Sequence, residues 1–366
     1  VTVAEVIGVI DALAPPGYAF DWDRSGLRIG APDKKVKNIL VTLTVTPDAF
    51  KAAKKNKADL IVAHHPPLWE PLTTLRTDNI ETELWVDVAA SGMACYAAHT
   101  NLDIAPNGVN DVLADKLGLV NRSPLFPTPH VNLVKVVVFV PDTHVATVRE
   151  AMAAAGAGLI GEYASCSFSV GGTGTFLPSE KTDPHSGKRS VVNEEPERRM
   201  EMQVHEARLA GVVDAMKEAH PYEEVAFDVY PMNNPDPYIG LGVRGELEKS
   251  MSFDAFSKMV REALKTQHVR TIGAMRSSIT TVGVMGGAGG SMIANVPDGI
   301  DAFVTGDVTY HDAQHALDRG LAVVDAGHNG TEKWIVPHLA KYLRGKLKDA
   351  KVATFTEPDP FHAVVE

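Results

Sequence analysis

Histidines and carboxylates gather in this sequence where apolar runs stop. Leu60–Ala63 leads directly into His64, His65, Pro66 and Pro67. The run Met93–Ala98 is followed by His99, Asn101 and Asp103, and Ala302–Thr305 by Asp307 and His311. After Leu321–Ala326 come His328 and, four residues on, Glu332. Ligands of parallel α/β sheets collect beyond the carboxyl ends of strands, where all four groups would lie. Adjacent strand residues point to opposite faces, so His64 and His65 serve one ion only past the end of the strand, or else serve two neighbouring ions. Pro66 holds His65 to an extended backbone, which lowers the entropy cost of fixing the imidazoles. His328 and Glu332, at i and i+4, face one point if a helix starts near Gly330.

His64, His65 and His328 with Asp103 and Glu332 make a donor set for two divalent first-row ions, and imidazole with carboxylate admits zinc, iron or manganese. Either carboxylate has the valence to bridge. Two ions roughly 3.5–4 Å apart share a water and lower its pKa toward about 7, which yields a hydroxide nucleophile. Each motif alone has a plainer reading. The paired histidines could be buried hydrogen-bonding groups, "AHTNLD" a helix-capping turn, and Glu332 an acid placed for the helix dipole. His99, Asp307 and His311 are open between orienting ligands and touching substrate, and His311 also reads as a surface residue at a helix start. "VMGGAGGSMI" reads as a tight turn passing close to the metal ligands, with anion binding by its backbone as the alternative. In "DWDRSGLRIG", Asp21, Asp23 and Arg24 lie either at the mouth of the site or on a surface turn.

The elements that must position these groups come from the rest of the chain. Its 366 residues are too many for one ordinary core. With 45% hydrophobic and 22% charged residues the composition is that of a globular protein, and no apolar run is long enough for a membrane helix. The start reads as a helix capped by Thr2 and Glu5 rather than as a secretion signal. Two cysteines, Cys95 and Cys166, favour a reducing cytoplasmic setting and exclude cysteine-based zinc sites. A net charge of −11 disfavours nucleic acid as a partner. The first and last 120 residues alternate continuous apolar strands with helices, the pattern of a parallel sheet covered on both faces and of an α/β fold. The middle differs. Between proline-rich linkers at 123–130 and 230–238, it runs strand (Lys135–Val140), helix (Thr143–Ala155), strand (Glu162–Val170), strand (Met200–Val204), helix (Ala207–Ala219), strand (Val225–Tyr230). This is the ferredoxin-like plan. Residues 171–197 read as a long irregular segment. The simplest architecture is an α/β core in two parts, 1–125 and 240–366, interrupted by an α+β domain at 130–235.

"FDWDRSGLRIG", "IVAHHPPLW", "YAAHTNLDIAPNGVND", "MGGAGGSMI", "AFVTGDVTYHDA" and "DAGHNGTE" together resemble, in the same order, the Nif-three-like dinuclear metal proteins. The middle segment, with "GGTGTFLP" and "HPYEEVAFDVYPM", resembles the PII/CutA-like insert of the longer, YqfO-type members. The resemblance implies two divalent ions on His64, His65, Asp103, His328 and Glu332, and a homohexamer with its metal sites facing an internal cavity. It also brings the label of a GTP cyclohydrolase type-two homologue. Two functions follow as expectations. One is a metal-dependent hydrolase acting on a small molecule of the purine nucleotide class, with His99 as proton shuttle. The other is a non-catalytic metal-binding or regulatory scaffold whose insert senses a ligand or partner.

Overall fold

Strands of the first sheet form where β-branched and aliphatic residues run unbroken. In a computed structural model describing residues 1–80, 82–128, 131–234, 236–273 and 278–362, the run Leu60–Ala63 is a fully buried strand between Asn38–Thr42 and Ala94–Ala97, parallel to both. A strand buried on both faces needs no polar alternation, which is why these segments read as apolar blocks. Lys351–Thr354 closes the sheet at one edge, parallel to Asn38–Thr42, and so ties the end of the chain into its first sheet. At the other edge Gly26–Ile29 pairs antiparallel with Ala94–Ala97. This short strand falls in the stretch read from sequence as a mouth or surface turn.

The second sheet runs, in order, Arg270–Ile272, Ala322–Asp325, Ala302–Thr305, Ile279–Val284, Gly240–Met251 and Val120–Pro127. Only its three central strands are parallel. Its outer pairs are antiparallel, as is the Gly26–Ile29 edge of the first sheet, so the all-parallel expectation holds for the centre of the second sheet and for all but one edge of the first. The linker expected at 123–130 is corrected as well. Pro124 and Pro127 belong to the edge strand Val120–Pro127, and an edge is where sheets admit proline. Residues 129, 130 and 235, at the expected linkers, lie outside the described residues. Helix Val3–Leu13 starts as expected, with Thr2 and Glu5 forming a reciprocal cap. Tyr342 Oη donates to the Val9 carbonyl at 3.2 Å and joins this helix to Ile335–Lys346.

The chain divides into two compact units, Val1–Thr128 with Pro237–Glu366, and Pro129–Asp236. In the second unit Leu133–Pro141 lies between Asn193–His205 and Phe227–Met232, and Phe168–Phe176 takes the far edge, all antiparallel. Helices Val145–Ala154 and Leu209–Ala219 supply Val148, Met152, Val212 and Met216 to its core. Both ends of the segment expected to be irregular, 171–176 and 193–197, are strand. Phe168–Phe176 and Asn193–His205 form a long ribbon that confines the connection to 177–192. In the part read as irregular, Gly171, Gly172, Thr173 and Thr175 are exposed and no apolar alternation marks the strand, whereas Met200, Met202 and Val204 further along are buried at period two. Among the described residues no helix is long and apolar enough to cross a membrane.

Candidate metal centre

The histidine pair sits just past a strand end. His64 N–H donates to the Thr42 and Leu43 carbonyls and His65 N–H to Leu43, so the neighbouring strand carries the backbone one step beyond Ala63. There the alternation relaxes, and the two rings lie with centroids 5.0 Å apart. His99 precedes the short helix Thr100–Ile104, which carries Asp103. His328 opens, and Glu332 closes, the five-residue helix His328–Glu332. The helix therefore starts two residues earlier than expected, and the i, i+4 pair spans it, with His328 Nε2 3.0 Å from Glu332 Oε2.

These groups converge. Glu332 Oε2 is 2.9 Å from His65 Nε2 and Oε1 is 3.7 Å from His64 Nε2. His64 Nε2 is in turn 3.5 Å from Asp103 Oδ1, and His328 Nε2 is 3.1 Å from His65 Nε2. Two triplets of donor atoms result, His64–His65–Glu332 and His64–His99–Asp103, each within 4.8 Å. The other ring nitrogen of every histidine is anchored. His64 Nδ1–H donates to the Ala98 carbonyl at 2.8 Å and His328 Nδ1–H to Asp307 at 2.7 Å. His99 Nδ1–H donates to Asp23 at 2.8 Å, and His65 Nδ1 bonds the Thr44 hydroxyl at 2.8 Å. For His64, His99 and His328 this puts a proton on Nδ1 and leaves Nε2 as the nitrogen turned inward, the orientation that metal-ligating histidines use.

The electrostatics are those of a charge-balanced cage. Burial pushes His64 down, but the Asp103 and Glu332 carboxylates overcome it and raise the imidazole to about 9. His328 is likewise raised to about 9 by Glu332 and Asp307 against its burial. Burial pushes Asp103 up to about 6 despite the pull of His64. Burial would also raise Glu332, yet the charge of His64 and hydrogen bonds from the imidazoles hold it well below the usual carboxylate range. Protons on imidazoles thus offset two buried carboxylates, a role that divalent cations fill with the same donor atoms. His64 Nε2 and Asp103 Oδ1 are buried without hydrogen-bond partners, so the residues present fit a bound cation.

The structure brings together His64, His65, Asp103, His328, Glu332 and His99. Asp307, exposed and with φ 54°, supports His328 from outside the cluster, whereas His311 is exposed at the start of helix Tyr310–Asp318 with its ring against Tyr310. The glycine-rich stretch passes beside the acid. A Cβ on Gly287 would stand 2.1 Å from Glu332 Oε1, and the Gly287 N–H donates to Thr331 Oγ1. That matches the tight-turn reading. Sequence reasoning missed the part played by Asp23. Its side chain is 1% exposed and accepts from Ser25, from Thr100 N–H and Oγ1–H, and from His99. Burial opposes its ionisation, but these donors, with the charge of His99, hold the carboxyl far below its usual range. Thr44 was missed too, since nothing local marks it as a partner of His65.

The family described as Duf34/NIF3 (NGG1p interacting factor 3) is matched over residues 1–360. A GTP cyclohydrolase 1 type 2 homolog of Halalkalibacterium halodurans is 41% identical over 362 residues, covering 97% of both chains. Its namesake in Bacillus subtilis is 37% identical over 363 residues, covering 98% of this chain and 97% of its own. The crystal structure of a Bacillus cereus protein related to NIF3 shares 38% identity with a TM-score of 0.89, over 100% of this chain and 99% of that one. With the model match spanning nearly its whole length, the chain belongs to the DUF34/NIF3 family.

Proposed function

We propose that this chain is a metal-dependent hydrolase in which His64, His65, Asp103, His328 and Glu332 hold two divalent ions. The observation that carries this is the buried pair His64 Nε2 and Asp103 Oδ1, facing each other unbonded inside a ring of inward-turned imidazoles. Zinc, iron and manganese all suit the donors. Bound ions of this kind supply Lewis acidity and an activated water near neutral pH. The protein's own part is to fix the geometry and to move protons. Asp23 keeps a proton on His99 Nδ1, which leaves Nε2 to accept one from the attacking water and return it to the leaving group. The names of the relatives supply the substrate class, a purine nucleotide, in which water would add to an electrophilic ring carbon.

A second reading, a metal-binding or regulatory scaffold, is supported by the second unit. Its β-α-β-β-α-β order and antiparallel sheet support a ferredoxin-like insert of the PII/CutA-like kind. We also propose a homohexamer, on the family resemblance, which sedimentation velocity tests. Two free cysteines support a reducing, cytoplasmic setting.

The experiment is elemental analysis of the purified chain followed by turnover of GTP and simple phosphoesters. Metal-dependent product formation that disappears in Glu332→Gln supports the hydrolase. Tight binding of two ions with no turnover of any nucleotide would favour the scaffold, and failure to bind metal would end both readings.

A further inference from the structure

Beside His99 lies a surface that the metal centre does not explain. Trp22 is 55% and Trp69 is 41% exposed, large apolar areas to leave in water. Both rings stand edge-on to His99, at 6.5 and 5.6 Å between centroids, and 6.1 Å from each other. Phe20 stacks on Trp22 at 5.5 Å and 7° and braces it. Leu68, a bulky residue at φ 57°, takes a left-handed backbone that directs the chain into Trp69. Strain of this kind persists where the surroundings hold it and is common at ligand sites.

A solvent-open groove of about 410 Å³ is lined by Trp69, Trp85, Leu72, Ile29, Arg24 and Arg28. Arg28 Nε is buried without a hydrogen-bond partner. Among the described residues neither guanidinium is ion-paired, in a chain of net charge −11. Glu70 lines the groove as its carboxylate, so two cations face one anion. A groove that combines flat aromatic walls with two unpaired guanidiniums is complementary to a flat ring that carries phosphate. Guanidinium binds phosphate through paired, charge-assisted hydrogen bonds, and indole offers a stacking face to any nucleobase.

We propose that this groove seats a nucleoside phosphate, with its ring against Trp69 beside His99 and its phosphates on Arg24 and Arg28. The inference rests on the nucleotide-hydrolase reading for its substrate class, but the groove shares no residue with the metal ligands. Tryptophan fluorescence and calorimetry with GMP, guanosine and inorganic phosphate test it on the full chain, with and without EDTA. GMP should bind in both conditions. Arg24→Ala and Arg28→Ala should each weaken GMP roughly tenfold or more and leave guanosine unchanged. Trp69→Ala should weaken both. Arg24 is exposed, so its variant answers even if Arg28→Ala disturbs the edge strand. Loss of GMP binding in EDTA, or GMP affinity unchanged in the double arginine variant, would overturn the proposal. Absence of turnover by metal-loaded protein that still binds GMP this way would remove the hydrolase reading and leave the groove standing.

Discussion

His64 Nε2 and Asp103 Oδ1 lie 3.5 Å apart, both buried, and neither completes a hydrogen bond. Leaving two such atoms unsatisfied costs on the order of 1–3 kcal/mol each. Folding tolerates that cost at few places, and here it falls where Glu332 Oε1 stands 3.7 Å from the same nitrogen. A cation in contact with all three atoms satisfies them at once, and the Ala98 carbonyl on His64 Nδ1 already fixes the ring for that role. The relationship makes the metal reading testable by several independent measurements.

Metal binding should release protons. His64 and His328 are each raised to about 9, so near pH 7.5 both carry a proton that ligation must displace. Calorimetry with zinc or manganese in buffers of different ionisation enthalpy should show a release approaching two protons, with affinity climbing from pH 6 toward pH 9. The sign reverses for the metal-free protein. A folded pKa above the unfolded value adds stability below about 6.5 that is lost as pH rises through about 9. The Tm of the chelated chain should fall across that window, and added metal should abolish the fall.

Asp307→Asn should weaken metal binding about tenfold without unfolding the chain. Asp307 is exposed and left-handed, a conformation asparagine accepts, and its carboxylate receives the His328 Nδ1 proton at 2.7 Å. Removing that charge lowers the basicity of Nε2. Competition with a chromophoric chelator measures the loss, and circular dichroism checks the fold. Unchanged affinity would place His328 outside the ligand set.

Much of this cluster was legible because three of its signals are local. A buried strand ending in His64 and His65 is visible in eleven residues, and His328 and Glu332 announce themselves by helical spacing. Asp103 follows a strand by a few residues. What could not be read was pairing over distance. Asp23 and His99 are 76 positions apart, and Asp23 sits in a stretch that looks like a polar turn. The two outer strands Gly26–Ile29 and Val120–Pro127 escaped for a related reason. One is short and half-buried, and the other carries prolines that would be forbidden anywhere except an edge. In the ribbon, Phe168–Phe176 is mostly exposed and lacks the apolar period that reveals a strand, and Asn193–His205 shows that period only from Met200 onward.

The two thiols should separate cleanly. Cys95 is fully buried, and burial pushes its thiol up to about 12, so almost no thiolate exists at pH 8. Cys166 is half-buried in the second unit. A disulfide reagent should titrate one thiol in the native chain and a second only on unfolding, with mass spectrometry locating the first adduct on Cys166. Rapid native labelling of Cys95 would mean that the first sheet opens more readily than its packing implies.

Gly287→Ala should damage the metal centre more than it damages the fold. Gly287 adopts φ 67°, a region that costs an alanine about 1–2 kcal/mol. The larger effect is steric. The new Cβ would stand 2.1 Å from Glu332 Oε1 and 3.4 Å from His328 Nε2, so the carboxylate must swing away from His64. Glu332 cannot retreat freely, because it is 4% exposed at the end of a helix pinned by the Thr331 hydroxyl to the Gly287 N–H. Metal affinity should therefore drop by more than tenfold while the Tm of the chelated protein shifts by only a few degrees. Gly299→Ala is the control: it also has positive φ, 82°, but its Cβ would meet nothing within 4 Å, so it should cost stability alone. Equal metal affinity in both variants would show that the Glu332 carboxylate is not held in place for an ion.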